Sequence, residues 1–264
     1  MTLLRPILAA LLTLAVAGQT VPAGAAEPIR VGVSSGPYTE ILEYTATLHQ
    51  QRTGVPVKVI EFSDYTQPNA ALAQGDIDIN NFQHHPYLDN QIKTRGYALT
   101  AVERSIVVPL GIYSKKIPNL AALPDGASVA IPNDPSNGAR ALLLLQQAGL
   151  LKVDPAAGIA ATPVDVIDNP KKLKIKEIDA AQLPRSLDDV EIAAVTLNYA
   201  IGAGLEPKKA LLLEGADTQW GLWFVTQTKR KDDPALRALI DTYRSPEVKA
   251  FIERRFAGTI IPTW

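Results

Sequence analysis

Hydrophobic positions in the first third of the chain follow two periods in turn. Residues 29–34 alternate apolar and polar as a strand does, and residues 38–51 then place apolar side chains at helical spacing. The same succession follows over 55–62 and 67–74, and residues 75–80 form a tight turn and a short buried strand. This order predicts a βαβαβ unit, which is typical of a parallel sheet with right-handed crossovers.

A long apolar run at 102–114 contains Pro109 and Gly111, so a central strand of one sheet is a poor interpretation. We interpret it as the chain leaving one domain and entering another. A second α/β set follows, with strands predicted at 128–131, 173–178 and 192–196, helices at 141–151 and 198–204, and a return segment at 211–226. Two C-terminal helices, 234–242 and 245–256, complete the pattern. The fold class is therefore α/β with two lobes: residues 27–110 and 218–264 form lobe 1, and residues 111–217 form lobe 2.

The first 26 residues are typical of a secretory signal peptide. Arg5 supplies the positive charge, residues 7–16 are apolar, and residues 23–26 are small enough for cleavage. The apolar run is too short to span a bilayer, and the alternative is a buried N-terminal helix. We expect an exported protein without a membrane-spanning segment, located in the periplasm.

Composition excludes several classes of function. The chain has 264 residues, of which 47% are hydrophobic and 20% charged, as in a globular protein with a substantial core. Its 26 basic and 27 acidic residues give no electrostatic reason to bind nucleic acid or an anionic membrane. The absence of cysteine excludes disulfides, thiolate metal sites, cysteine nucleophiles and a lipidated cysteine. No nucleotide-binding or hydrolase motif is found, so we expect no cofactor, no metal and no enzyme.

An aromatic and imidazole cluster is predicted at a strand-to-helix junction. Phe82, His84, His85 and Tyr87 lie within six residues, and Pro86 occupies a favoured first helical position. Ligands of open α/β sheets bind at the carboxyl ends of strands, so this cluster is predicted at a pocket. Tyr65 follows the preceding strand in the same way. The alternative for Phe82 is a plain core residue.

Arg140 is the candidate for binding an anion. It ends a polar loop at 132–140 and falls in the predicted first turn of a long helix. The helix dipole disfavours a cation there, and a bound carboxylate would resolve that conflict. The alternative is a surface arginine in solvent or paired with Asp134. Asn198, at another strand-to-helix junction, has the chemistry to bind ammonium and carboxylate groups, or else it is a plain N-cap.

Several motifs together resemble one family. They are Glu61-Phe-Ser-Asp-Tyr65, Phe82-Gln-His-His-Pro-Tyr-Leu-Asp89, Tyr113-Ser-Lys-Lys-Ile117, Ile131-Pro-Asn-Asp-Pro135, Asn169-Pro170 and Gln182-Leu-Pro-Arg-Ser-Leu-Asp-Asp189. They are similar to motifs of the NlpA-type methionine-binding proteins of bacterial ABC importers, from about residue 29 to the C-terminus. The resemblance implies a two-lobed type II periplasmic-binding fold with two interdomain crossings.

The resemblance also implies a ligand site. Arg140 would bind the ligand carboxylate beside Asn137, Asn198 would meet its amino and carboxylate groups, and Tyr65, Phe82, His84 and Tyr87 would line the side-chain pocket.

Two departures from the family pattern stand out. Gln19 occupies the place of the lipidated cysteine typical of the family, which favours a freely diffusing protein. The segment 195–199 is one residue shorter than the family's asparagine-containing stretch.

We therefore expect a monomeric solute-binding protein that captures L-methionine, or its D-isomer, and delivers it to the permease and ATPase of an ABC importer. The alternative within this class is a methionine dipeptide or another small apolar amino acid as ligand. A different class would be a periplasmic enzyme that uses His84 or His85 with a carboxylate. A third would be a surface adhesin or structural protein with no small ligand.

Overall fold

The structure is a computed structural model and describes residues 26–216 and 218–264. Residues 1–25 of the predicted signal peptide lie outside this range. The first lobe is formed by a six-stranded sheet with the strand order β13-β4-β12-β3-β1-β2. Its strands are β1 (Ile29–Ser34), β2 (Val57–Phe62), β3 (Ile79–His84), β4 (Leu99–Val107), β12 (Gly221–Gln227) and β13 (Ile261–Pro262). Strands β1, β2 and β3 pair in parallel, as the βαβαβ pattern predicts.

The second lobe is formed by a five-stranded sheet with the order β11-β5-β10-β6-β9. Its strands are β5 (Leu110–Tyr113), β6 (Ser128–Pro132), β9 (Lys174–Ile178), β10 (Ile192–Thr196) and β11 (Leu212–Leu213). A small hairpin-like pair, β7 (Lys152–Val153) and β8 (Val166–Asp168), lies beside it. Strand β10 is buried on both faces, because Ala193 and Val195 contact one apolar cluster whereas Ile192 and Ala194 contact another.

Helices cover both sheets. They are α1 (Pro37–Thr53), α2 (Gln67–Gln74), α3 (His85–Arg95), α4 (Pro135–Gln147), α5 (Leu183–Ser186), α6 (Leu197–Gly202), α7 (Pro234–Tyr243) and α8 (Pro246–Phe256). Helices α1, α2, α3, α7 and α8 belong to the first lobe, and α4, α5 and α6 pack in the second. Among the described residues, no helix has the length and apolarity that crossing a membrane requires.

The chain passes between the sheets twice. Strands β4 and β5 are separated only by Val108 and Pro109 yet belong to different sheets, as the proline in the apolar run predicts. The predicted return segment 211–226 is likewise divided, since β11 pairs in the second sheet and β12 in the first. The exact domain boundaries, residues 110 and 217, stay a prediction.

Two predicted element boundaries were wrong in a way that matters for the site. The buried strand predicted within 75–80 begins at Ile79 and extends to His84, so Phe82 and His84 lie on β3 itself. The helix predicted from residue 141 begins at Pro135, because the Asp134 side chain accepts a hydrogen bond from the Asn137 N–H. Arg140 therefore lies in the second turn of α4, and the conflict with the helix dipole is weaker than predicted.

Candidate functional site

A cavity lies at the junction of the two lobes. Both lobes contribute to its lining, which consists of Tyr38, Tyr65, Phe82, Gln83, His84, Tyr87, Val108, Asn137, Arg140, Thr196 and Leu222. Six of the seven predicted site residues line it: Tyr65, Phe82, His84, Tyr87, Asn137 and Arg140. The seventh, Asn198, does not.

His84 connects the local helix start to the opposite lobe. It ends β3 and caps α3, and its Nδ1 accepts the Tyr87 N–H at 3.2 Å. Because Nδ1 accepts, the proton lies on Nε2, which donates to the Asn137 Oδ1 at 3.1 Å. Burial, reinforced by the positive charge of Arg140, lowers the pKa of His84 to about 3. His84 is therefore a neutral imidazole with both nitrogens engaged.

Asn137 is fixed from its other side by Asp134. Its Nδ2 lies 3.1 Å from each Asp134 carboxylate oxygen, and the same carboxylate accepts the Ser136 hydroxyl at 3.0 Å. Burial raises the pKa of Asp134 even though these hydrogen bonds act in the opposite direction. The Asn137 side chain thus positions His84 and is itself positioned by the cap of α4.

An aromatic wall closes the first-lobe side of the cavity; we use this name for Tyr38, Tyr65, Phe82, His84 and Tyr87. The rings of Phe82 and Tyr87 meet edge-on with centroids 5.9 Å apart, and the Tyr65 centroid lies 6.1 Å from that of Phe82. The Tyr87 hydroxyl donates to the Tyr65 carbonyl at 2.7 Å. Burial raises the pKa of Tyr65 and of Tyr87, so both phenols are neutral.

Arg140 is the charged residue on the second-lobe side of the cavity. Its Nε donates to both carboxylate oxygens of Glu214 at 3.0 Å, and its Nη2 donates to the same carboxylate and, at 2.9 Å, to the Val108 carbonyl. Its Cζ lies 5.3 Å from the centre of the Trp220 ring. The Nη1 donates no hydrogen bond to any residue within 26–216 or 218–264. The predicted alternative, a surface arginine in solvent or paired with Asp134, is wrong, because the Arg140 side chain is 3% exposed and its ion pair is with Glu214.

Asn198 is completely buried and is not among the residues that line the cavity. Its Oδ1 accepts the Tyr65 hydroxyl at 2.8 Å, and its Nδ2 donates to the Ser35 carbonyl at 3.2 Å. Thr196, two residues earlier, lies on the cavity wall and hydrogen-bonds the same Tyr65 hydroxyl at 2.8 Å. A direct contact of Asn198 with ligand stays a prediction, and what the structure shows is a hydrogen-bonded link between the lobes.

Sequence reasoning missed several residues. Tyr38 follows β1 at the start of α1, so the rule that selects strand ends applied to it as well as to Tyr65. The Tyr38 side chain is only 3% exposed, and its hydroxyl has no hydrogen bond to another described residue. Glu214, by contrast, lies 74 positions from Arg140 in an irregular segment, where no local pattern indicates a partner.

The two adjacent histidines do not converge. His85 lies on the surface at the start of α3, where its Nδ1 is 3.0 Å from the Asp89 carboxylate and its ring meets Trp223. Within the part of the chain that the structure describes, no three His, Asp or Glu side chains are grouped so as to bind a metal ion.

Comparison with known proteins gives consistent matches over nearly all of this chain. The family model described as NlpA lipoprotein matches residues 29–264. A D-methionine-binding lipoprotein MetQ from Escherichia coli O157:H7 is 44% identical over 239 residues, covering 89% of this chain and 88% of the relative.

Solved structures agree with this match. A nutrient-binding protein from Burkholderia cenocepacia bound to methionine superposes with a TM-score of 0.87 at 47% identity, covering 89% of this chain and all of that one. The methionine-binding protein MetQ superposes with the same TM-score of 0.87 at 42% identity, covering 89% of this chain and 98% of that one. The predicted two-lobed periplasmic-binding fold and the predicted family resemblance are both confirmed: the chain belongs to the NlpA lipoprotein family.

Proposed function

We propose that this protein is a periplasmic solute-binding protein that captures L-methionine, or its D-isomer, between two closing lobes and delivers it to an ABC importer. The observation that supports this best is the interlobe cavity with the Arg140 guanidinium on one side and the aromatic wall on the other. A guanidinium matches a carboxylate in charge and geometry. A thioether makes favourable contacts with aromatic rings.

The charges around the cavity favour a zwitterion. Arg140 and Glu214 form a buried pair whose formal charges cancel, and His84 is neutral. A ligand that carries only a carboxylate would add an uncompensated negative charge to this buried site, and burying such a charge is costly. A free amino acid adds none. Its carboxylate has available the Nη1 of Arg140, which donates to no described residue, and the tyrosine hydroxyl oxygens of the aromatic wall are acceptors for its ammonium group.

One relative is named as D-methionine-binding and one solved structure is described as bound to methionine, which makes methionine the first choice among amino acids. The alternative ligand within this class, a methionine dipeptide, is distinguished by the screen described below.

The mechanism we infer is closure of the lobes over the ligand. Five hydrogen bonds of 2.8 to 3.2 Å join first-lobe to second-lobe residues at or beside the cavity: Tyr65 to Thr196, Tyr65 to Asn198, His84 to Asn137, Asn198 to the Ser35 carbonyl, and Tyr199 to the Ser63 carbonyl. Ligand contacts shared by both walls would add to these bonds and shift the equilibrium to the closed form. The importer would then distinguish closed from open protein.

We infer a binding role without catalysis. Both nitrogens of His84 are engaged, and His85 lies outside the cavity, so neither is arranged as a general base on a ligand. We place the protein in the periplasm on the basis of the signal-like N-terminal sequence. The matched relatives are named lipoproteins, whereas this sequence contains no cysteine to which a lipid could be attached.

Native mass spectrometry of the purified protein, followed by a thermal-shift screen, tests this proposal. The screen would compare L-methionine, D-methionine, L-leucine, L-norleucine and a methionyl dipeptide. We expect one methionine per chain and the largest rise in melting temperature with a methionine isomer. A larger rise with the dipeptide or with leucine would identify the alternative ligand, and turnover of any of these compounds would indicate an enzyme.

A further inference from the structure

Arg140 is attached to both segments that cross between the lobes. Val108, whose carbonyl accepts from Nη2 at 2.9 Å, lies in the first crossing, and Glu214, whose carboxylate accepts from Nε and Nη2, begins the second. The two crossings are also paired directly. The Leu110 N–H donates to Glu214 Oε2 at 3.1 Å, and the Glu214 N–H donates to the Leu110 carbonyl at 2.9 Å.

We propose that Glu214 is a positioning residue that holds the Arg140 guanidinium and ties it to both crossings, so that binding of a carboxylate by Arg140 is coupled to the hinge. This rests on the proposed function. Glu214 does not line the cavity, so it acts on the ligand only through Arg140. Its carboxylate binds Nε and one edge of Nη2, which leaves Nη1 as the end available to a ligand.

The geometry favours positioning over simple stabilisation. A buried ion pair contributes little net stability, because desolvation of the two charges offsets their attraction. The Glu214 carboxylate also accepts the Leu110 N–H in the first crossing. An ion pair that only stabilised α4 would not need this second bond. A guanidinium fixed in this way keeps its orientation without loss of side-chain entropy at the moment of binding.

The first test is independent of ligand. Hydrogen exchange measured by mass spectrometry would compare wild type with Glu214→Gln and with the control Glu191→Gln. Glu191 also accepts a backbone N–H, that of Ser128 at 2.6 Å, but it contacts neither crossing nor Arg140. We expect faster exchange in residues 106–111 and 212–215 of Glu214→Gln only. Unchanged exchange there would overturn the proposal.

The second test uses the carboxylate as the probe. Calorimetric titrations with L-methionine and with L-methioninamide, which lacks the carboxylate, give a ratio of affinities for each variant. We expect Glu214→Gln to reduce the preference for methionine by about tenfold, because a misplaced guanidinium weakens only the carboxylate contact. A merely structural role would lower both affinities alike and leave the ratio unchanged.

The two tests separate the failure of this proposal from that of the proposed function. If wild type binds neither compound, the methionine proposal fails, and the exchange measurement alone decides the role of Glu214. If wild type binds methionine but the ratio of Glu214→Gln equals that of wild type and of Glu191→Gln, the positioning role is overturned while the proposed function stands.

Discussion

The two walls of the cavity are built on different physical principles. The aromatic wall of the first lobe consists of neutral rings that fit by shape, and three of its five residues come from one stretch, Phe82 to Tyr87. The polar wall of the second lobe, formed by Asn137, Arg140 and Thr196, relies on charge and hydrogen bonds with partners distant in sequence. From this difference we propose that the first wall selects the ligand side chain and that the second selects its charged groups.

Removal of the charge from the polar wall should have the largest effect. We expect Arg140→Ala to weaken methionine binding by about 2–5 kcal/mol, because the ligand carboxylate would be buried without a partner. Calorimetry measures this loss. The double variant Arg140→Met/Glu214→Gln should show the same loss without leaving Glu214 unpaired. Arg104→Ala serves as control, since the Arg104 guanidinium lies over Trp223 on the surface. Retained affinity in both Arg140 variants would remove Arg140 from the site.

Truncation of the aromatic wall should change selectivity as well as stability. Phe82 is 4% exposed, and Phe82→Ala should lower the free energy of unfolding by about 3 kcal/mol. We also expect weaker methionine binding and a smaller difference between methionine and larger apolar amino acids. Phe251→Ala is the control, since Phe251 stacks on Tyr44 away from the cavity. Equal selectivity in the two variants would contradict the assigned role of this wall.

Acid should act on the aromatic wall through His84. Its pKa is about 3 in the folded protein and about 6.5 when unfolded, so the unfolded chain binds the proton first as the pH falls. The contribution of His84 to the free energy of unfolding is complete above pH 6.5 and is lost progressively toward pH 3. At pH 5 the loss is about 2 kcal/mol. Urea unfolding of wild type and His84→Gln at pH 7.5 and 5 isolates the pH dependence that comes from His84. Asp134, whose pKa is raised, and His49, whose pKa is lowered, remain in both proteins. An identical pH dependence would contradict the assignment.

Removal of one hydroxyl that joins the walls should affect closure. Tyr65→Phe leaves the Asn198 Oδ1 and the Thr196 hydroxyl without their partner. This loss should destabilise the closed form by about 1–3 kcal/mol. We expect faster dissociation of methionine in stopped-flow measurements. Tyr87→Phe is the matched control, because the Tyr87 hydroxyl bonds the Tyr65 carbonyl within one lobe. Dissociation at the same rate in both variants would show that the Tyr65 bridge does not hold the lobes closed.

The smallest effect should come from Tyr38. Because its hydroxyl has no hydrogen bond within the described ranges, Tyr38→Phe should change the free energy of unfolding by less than about 0.5 kcal/mol. If the hydroxyl contacts ligand, methionine affinity should still fall by about fivefold, the value of one hydrogen bond. Calorimetry and thermal unfolding of the same sample separate the two effects. An unchanged affinity would make Tyr38 a purely apolar part of the wall.

The same contrast explains how much the sequence predicted. The aromatic wall was largely predictable, since the His84 cap, Pro86 and Gly96 define α3 locally and Tyr65 and Phe82 lie on or just after strands. Arg140 was identified because a polar loop precedes a predicted helix, whereas Asn137 was named only through the family resemblance. Glu214 and Thr196 were missed because their partners are 74 and 131 positions away, and only the packing of the two lobes brings them together. Asn198 has the right chemistry for the cavity, but the start of α6 directs it toward Ser35.

Calorimetric titration of the wild-type protein with L-methionine and L-methioninamide, side by side, tests the central claim most directly. If Arg140 binds the ligand carboxylate, one methionine should bind per chain, and the affinity for L-methioninamide should be weaker by roughly a hundredfold or more. Equal binding of the two compounds, or no binding of methionine, would contradict it.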